Sequence, residues 1–309
     1  MRKIIVLLSF LTSLNYADFK SDLTEQYTRG VNAILFFGSE DLVSSGHYKF
    51  DDFNGELKSR FFPFKHNFKS NCDDYNYFIN GSIGFSDYEE SNLDLNRNSN
   101  DAFTLRTHAL KLGGGARLNI SPDTHINLGA AYIYSHISGE YKTPNPLDIS
   151  QHDDKIISDI LTSDQTHHTV ELSSSIKYHP IINDYSPYVS LGIRHIRTRI
   201  DDNYIEMKDL KSSISKLGIG LLTPPVTEVY GLPLRLEPYA SYIHLFGDID
   251  NALDLERFYV VGTTLRFGSY ALTCWVEDVT DLKRDTMDWI KEITLDMNLV
   301  KGHNFKGVN

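Results

Sequence analysis

The chain has 309 residues, 41% hydrophobic and 23% charged, with a mean hydropathy of −0.30 and a formal net charge of −11. That balance excludes a helical membrane protein, and the acidic charge argues against nucleic acid as a partner, because phosphate backbones select Lys/Arg surfaces. Tyr (18) and Phe (17) are abundant and Gly (20) recurs inside apparent strands, which fits either a transmembrane barrel, whose two faces average out, or a large soluble β-protein.

At the N-terminus Arg2-Lys3 precedes an apolar run, Ile4 to Leu14, and Asn15-Tyr16-Ala17 ends in a small residue. This pattern predicts a cleaved secretory signal over 1–17, too short to anchor in a bilayer. Losing Arg2 and Lys3 takes the net charge from −11 to about −13. Residues 18–45 form an N-terminal segment of mixed pattern. Ser21-Asp22-Leu23-Thr24-Glu25 reads as a helix start with an acidic first turn, followed by Val31, Ile34, Leu35 and Phe37. Cys72 and Cys274 are the two cysteines; in an exported protein they either pair or stand as separate thiols on distant strands.

From Gly46 to Asn309 the alternation predicts one domain of about twelve strands. Gly46–Asp51 and Glu56–Phe68 come first, then Tyr77–Tyr88, with Tyr77, Ile79, Ile83 and Phe85 on one face. A long hairpin follows. Leu110, Leu112, Ala116, Leu118 and Ile120 alternate with Lys111, Gly113, Gly115, Arg117 and Asn119. Ser121-Pro122-Asp123-Thr124 turns the chain, and Ile126, Leu128, Ala130, Tyr132 and Tyr134 resume the greasy face. Each arm exceeds ten residues, longer than the usual strand of a soluble sheet but suited to a tilted membrane crossing. Thr166–Tyr178, Tyr188–Ile200, Ser212–Leu222, Leu234–Phe246, Arg257–Phe267, Tyr270–Glu277 and Gly302–Asn309 complete the expected set.

The run GGGARLNIS, its Pro-Asp turn and INLGAAYIYSHISGEY resemble a strand pair of the autotransporter-type outer-membrane β-barrel, most of all the solitary branch that lacks a long passenger. The resemblance extends loosely over Gly46 to Asn309. It implies an all-β, single closed antiparallel transmembrane barrel inserted by the barrel assembly machinery. It also implies a helix inside the lumen before the first strand, so residues 18–45 are either that helix or a periplasmic arm. Too little sequence precedes Gly46 for a sizeable passenger. Barrels of this kind end on an aromatic residue; here Phe305-Lys306-Gly307-Val308-Asn309 stops before one, so either the sequence is cut short or its insertion signal is unusual.

The connections are expected to alternate. Compact ones fall at Ser121–Thr124, His179–Pro187, Thr223–Pro233 and Gly268–Ser269. Longer acidic ones fall at Glu89–Asp101, Ser138–Gln165, Asp201–Leu210, Gly247–Glu256 and Asp278–Lys301. Short periplasmic turns and long acidic extracellular loops are the outer-membrane arrangement. Within the longest loop, Asp153–Leu161 reads as a short amphipathic cap.

Period two also assigns the faces. Lys111, Arg117, Glu171, Lys177, Arg194, Lys216, Arg235, Glu237 and Arg266 fall on the polar side and are expected to line a polar, mostly basic lumen. An Arg or Lys at the bilayer midplane would cost roughly 2–4 kcal/mol, so the charges belong inside. Leu110, Leu112, Leu118, Ile126, Leu128, Val170, Leu172, Leu191, Ile193, Leu217, Ile219, Val261 and Leu265 are expected to face lipid. Tyr132, Tyr134, Tyr178, Tyr242 and Tyr259 share that face as candidate interfacial girdles. The inner charges read as an ion-pair network closing a narrow lumen, as an anion-biased pore, or as a socket for the N-terminal segment.

No G-x-S-x-G elbow and no H-E-x-x-H helix occurs. His167 and His168 point to opposite faces of a strand, and His125, His136, His195 and His244 fall near strand ends. Asp153-Asp154 and Asp201-Asp202 read as acidic loop doublets. The expectation is therefore a non-enzymatic, monomeric barrel with outer-membrane lipid as partner and no cofactor or metal, acting as a surface scaffold or narrow pore. The alternatives are an outer-membrane hydrolase with a site at the extracellular rim and a soluble periplasmic β-protein. Consecutive glycines in Leu112–Ala116 either relieve crowding near an inner helix or let the wall bend.

Overall fold

A computed structural model of the chain describes residues 31, 45–51, 54–68, 74–91, 101–143, 162, 164–201, 209–229, 232–268, 292–303 and 305–308. Period-two alternation gives long strands: β1 (Gly46–Phe50), β2 (Gly55–Phe68), β3 (Tyr75–Ser91), β4 (Ala102–Ser121), β5 (Thr124–Lys142), β6 (Asp164–Tyr178), β7 (Ser186–Asp201) and β8 (Leu210–Leu222). A three-residue strand β9 (Thr227–Val229) then precedes β10 (Leu232–Gly247), the helix α1 (Asp248–Leu253), β11 (Arg257–Gly268), β12 (Glu292–Gly302) and β13 (Phe305–Val308).

All pairings are antiparallel and sequential. β10 bonds both β8 and β11, β9 hangs on the start of β10, and β13 bonds β1, so twelve strands close a ring. Over the length where β1 and β13 pair, closure removes the sheet edges that a soluble β-sheet has to cover. We call the end where β4 meets β5 the turn end and the other the loop end. Ser121 and Thr124 pair across Pro122-Asp123, after a register shift between Asn119 and Ser121. Between β6 and β7, Ile182 and Tyr185 bond each other across Asn183 and Asp184, whose φ values of 51° and 67° suit these short polar residues.

The ring closes over a short stretch. β1 and β13 pair only from His47 with Val308 to Phe50 with Phe305, at the loop end. Among the described residues, the turn-end parts of β2 and β12 therefore have a strand partner on one side only.

Two expectations need correcting. The strand beside β11 is β12, in a stretch expected to be loop; Tyr270–Glu277 lies outside the described residues, and no tight turn at Gly268–Ser269 joins β11 to its neighbour. Leu295, Met297 and Leu299 alternate with Asp296 and Asn298, a strand pattern hidden by the surrounding acids. The segment after Gly247 is not simply an acidic loop either, because α1 buries Ile249 and Leu253, with Leu255 following. Gly247 makes that entry at φ 86°, and a Cβ there would sit 2.5 Å from the Lys211 carbonyl oxygen. Residues 1–17, Cys72, Cys274, the Asp153–Leu161 cap and, apart from Val31 and Ser45, the segment 18–45 lie outside the described residues.

Candidate functional site: the outer wall and the lumen

Along the turn-end part of each strand, the exposed positions are apolar. Leu110, Leu112, Leu118, Leu128, Val170, Leu172, Leu191, Ile193, Leu217, Ile219 and Val261 are all exposed on the outer face, several by half or more. Ile126 and Leu265 share that face by register, half-buried among their neighbours. Tyr132, Tyr134, Tyr178 and Tyr259 are exposed on it and Tyr242 is half-buried beside Tyr259, with ring centroids 5.3 Å apart. On β4 the belt runs from Leu110 to Ile120. Ten steps of ~3.3 Å on a strand tilted ~45° give a band of about 23 Å, against ~25 Å for the apolar band of an outer-membrane barrel.

The inner face over the same length is polar. Lys111, almost fully buried, reaches across β5 above Ala131 to donate to both Glu171 oxygens, at 3.1 and 3.2 Å. Arg194 approaches the same carboxylate at 3.6 Å. Between β10 and β11 Arg266 bonds Glu237, and between β6 and β7 Lys177 lies 3.8 Å over the Tyr188 ring. Arg117 donates to Asn127 at 3.1 Å, and Asn127 in turn to Ser175. Lys216 is half-buried on the inner face, whereas Arg235 is exposed at the turn end, opposite Arg266 in register. The nine charges thus divide into several networks instead of one lining.

Sequence reasoning missed the acid of a further network. Asp296 of β12 accepts from Tyr239 (2.8 Å), Thr264 (2.9 Å) and Asn298 (2.9 Å). Its alternation with Leu295 and Met297 was the available sign. The glycines serve the wall itself: a Cβ on Gly115 would lie 2.7 Å from the Phe78 ring of β3, so the glycine accommodates a neighbouring aromatic.

Towards the loop end the inner face changes character, and here the expectation of a polar lumen throughout is corrected. Tyr48, Phe50, Tyr88, Phe103, Leu105, Ile137, Ile214, Ile243, Leu245, Phe258, Val260, Val300 and Phe305 form one buried apolar cluster, joined by Ile249, Leu253 and Leu255 around α1. Phe305 stacks within it, its ring 4.9 Å from Phe50, 5.6 Å from Phe258 and 5.7 Å from Tyr48. Val31, helical and fully buried, belongs to the same cluster. Outside, the same lengths of strand carry Asp87, Glu89, Arg106, Glu140, Arg197, Arg199 and Lys211.

The switch falls at histidines. His108, His136, His168, His195 and His244 are each the first polar outward residue beyond the apolar belt on β4, β5, β6, β7 and β10. His168 is hydrogen-bonded to Tyr132, and His195 to Ser213 at 2.8 Å. At the turn end His125 and His179 meet at 3.0 Å beside a cleft of about 540 Å³ that Asp74, Arg117 and Asn119 also line. Among the described residues, no group of three or more His, Cys, Asp or Glu side chains could hold a metal ion.

No protein-family model and no curated protein sequence matches this chain. Among solved structures, the barrel is similar to the β domain of the Bordetella autotransporter BrkA, at a TM-score of 0.58 and 8% identity over 85% of this chain and 93% of that one. It is also similar to the translocator domain of NalP from Neisseria meningitidis (0.55, 9%, over 85% and 82%). A third similar structure is the transport unit of AIDA-I from Escherichia coli (0.50, 8%, over 85% of each chain). The chain is a closed 12-stranded antiparallel β-barrel resembling known autotransporter translocator domains.

Proposed function

We propose that this protein is an outer-membrane barrel whose lumen is closed at the loop end, acting as a structural surface module and not as an open pore. The observation that carries the reading is the inversion of polarity along the strands. Over the turn-end length the apolar side chains point out and the charges in; over the loop-end length the order reverses. Exposed Leu, Ile and Val in a continuous band are unfavourable in water, at roughly 25 cal/mol per Å², and favourable against hydrocarbon. Beyond the band the wall meets water, so its apolar side chains turn inward and make an ordinary core.

An even strand count sends both ends of the barrel towards the turn end, which this reading places in the periplasm; the connection 269–291 joins β11 to β12 at that same end, and the connections after β3, β5 and β7 lie outside. Residues 1–17 act as the export signal and the assembly machinery inserts a monomer. Helical Val31 is itself buried in the loop-end cluster. The pairing of Lys111 and Arg194 with Glu171, and of Arg266 with Glu237, supports a structural role for these inner charges.

The test is expression of the full chain in a Gram-negative host, followed by membrane fractionation, heat-modifiable gel mobility and planar-bilayer recording. The reading expects outer-membrane recovery, a compact form that shifts on boiling, and no steady conductance. Recovery in the soluble periplasm would overturn the membrane assignment, and large stable conductance steps would overturn the closed lumen.

A further inference from the structure

Where the ring closes, its outer face carries a row of lysines. Lys301 of β12 stands directly opposite Lys306 of β13, and Lys306 directly opposite Lys49 of β1; all three are exposed. The row continues from the aromatic edge of the apolar belt, since Tyr259 is opposite Lys301 and Tyr242 opposite Tyr259. One step towards the turn end lie Leu299 and Val308, 64% and 54% exposed. Lys58 and Arg60 of β2 extend the patch on the same face.

The acids nearby do not cancel it. Glu56 lies 2.8 Å from Lys49 and 4.0 Å from Lys58, and also bonds His47. Asp51 lies 2.9 Å from Lys306. Glu89 follows Glu56 on β3, where the row turns acidic. Among the described residues, no acid pairs with Lys301. Asp87 of β3 stands directly opposite Lys58, so Lys49, Lys58, Arg60, Lys301 and Lys306 against Glu56, Asp51 and Asp87 leave an excess of two positive charges, with His47 neutral, on a chain of net −11. Like charges directly opposite on one face of a sheet repel, so the row is a local cost unless an anion lies across it. Three adjacent strands span about 10 Å, and three ammonium groups on that span present donors at the level where headgroups begin.

We propose that this lysine row binds the phosphate groups of a phosphorylated glycolipid of the outer leaflet and holds that lipid against the seam between β12, β13 and β1. The proposal rests on the outer-membrane reading above, which puts the loop end on the external side. It also gives the seam a stabilising partner where strand pairing is shortest.

The experiment uses the full chain refolded in detergent, with the phosphorylated glycolipid, its dephosphorylated form and phosphatidylglycerol as probes, and binding read by native mass spectrometry. Two variants each remove three cations: Lys49→Gln/Lys301→Gln/Lys306→Gln at the seam, and Arg197→Gln/Arg199→Gln/Lys211→Gln elsewhere on the loop-end wall. About fivefold in affinity per lysine near a membrane surface predicts a loss between about fivefold and roughly 100-fold for the seam variant, because Lys49 and Lys306 already face Glu56 and Asp51 while Lys301 does not. The second variant should lose less than about threefold, because Arg197 and Arg199 already face Asp209 and Asp201. Lys301→Gln alone, which breaks no ion pair, should lose about fivefold and covers the case where the triple variant does not fold. Equal losses in the two triple variants, equal binding of the dephosphorylated lipid, or equal binding of phosphatidylglycerol would overturn the proposal. Heat-modifiable mobility is scored on every sample, so a wild-type chain that never forms a compact barrel counts against the outer-membrane reading instead.

Discussion

The two ends of this barrel are built by opposite rules from the same strands. On β4, Leu110, Leu112 and Leu118 point out while Lys111 and Arg117 point in; a few residues earlier Phe103 and Leu105 point in while Arg106 and His108 point out. β7 repeats it, with Leu191 and Ile193 out beside Arg194 in, then Ile196 in beside Arg197 out. The backbone pairing runs straight through the change. The difference teaches that side-chain polarity in a barrel reports the solvent on each side, level by level, and not a fixed inside and outside.

That contrast can be broken at either end. Phe305→Ala removes the ring that packs against Tyr48, Phe50 and Phe258 where the barrel closes, and a buried Phe truncation costs about 3–5 kcal/mol. Urea unfolding followed by heat-modifiable mobility in lipid vesicles should show that loss. Glu171→Ala removes the carboxylate that Lys111 and Arg194 share inside the wall, again at about 3–5 kcal/mol. Restoring balance with Lys111→Met in the same chain should recover most of it.

Sharper still is a matched pair on one outer face. Leu172→Arg on β6 puts a charge in the apolar belt and should cost about 2–4 kcal/mol in vesicles, whereas Thr166→Arg on the same face past His168 should stay within about 0.5 kcal/mol. Equal costs would mean that the belt has no special solvent.

The smallest effect concerns α1. Burial, and then nearby Glu256, hold the Asp250 carboxyl above its ordinary range. A raised folded pKa means that the docked helix prefers the protonated acid, so its docking strengthens as pH falls through the carboxylate range and weakens above it. Asp250→Asn should flatten that dependence and gain no more than about 0.5 kcal/mol at neutral pH, read by hydrogen exchange of residues 248–255.

The wall was legible in the sequence because hydrocarbon imposes strict alternation on long strands. Leu110 to Ile120 and Ile126 to Tyr134 show it without help from any distant residue. The loop-end core was not, because Phe103 and Leu105 share the parity of Lys111, and a strand read as one amphipathic unit assigns them to the polar face. Lumen partners were equally hidden. Lys111 meets Glu171 across an intervening strand, and which residues come level is set by the stagger of β5 and β6, not by spacing along the chain. β12 escaped notice since Asp296 and Asn298 look like loop residues until a lumen gives them partners.

The most direct test places spin labels on the outer face of the reconstituted barrel, in a chain with Cys72→Ser and Cys274→Ser, and measures collision with oxygen and with a water-soluble nickel chelate. Labels at Leu112, Leu172, Leu191 and Ile219 should favour oxygen, and labels at Arg106 and Arg197 should favour nickel, with the crossover at the level of His108 and His195. Nickel access at all six positions would contradict the account.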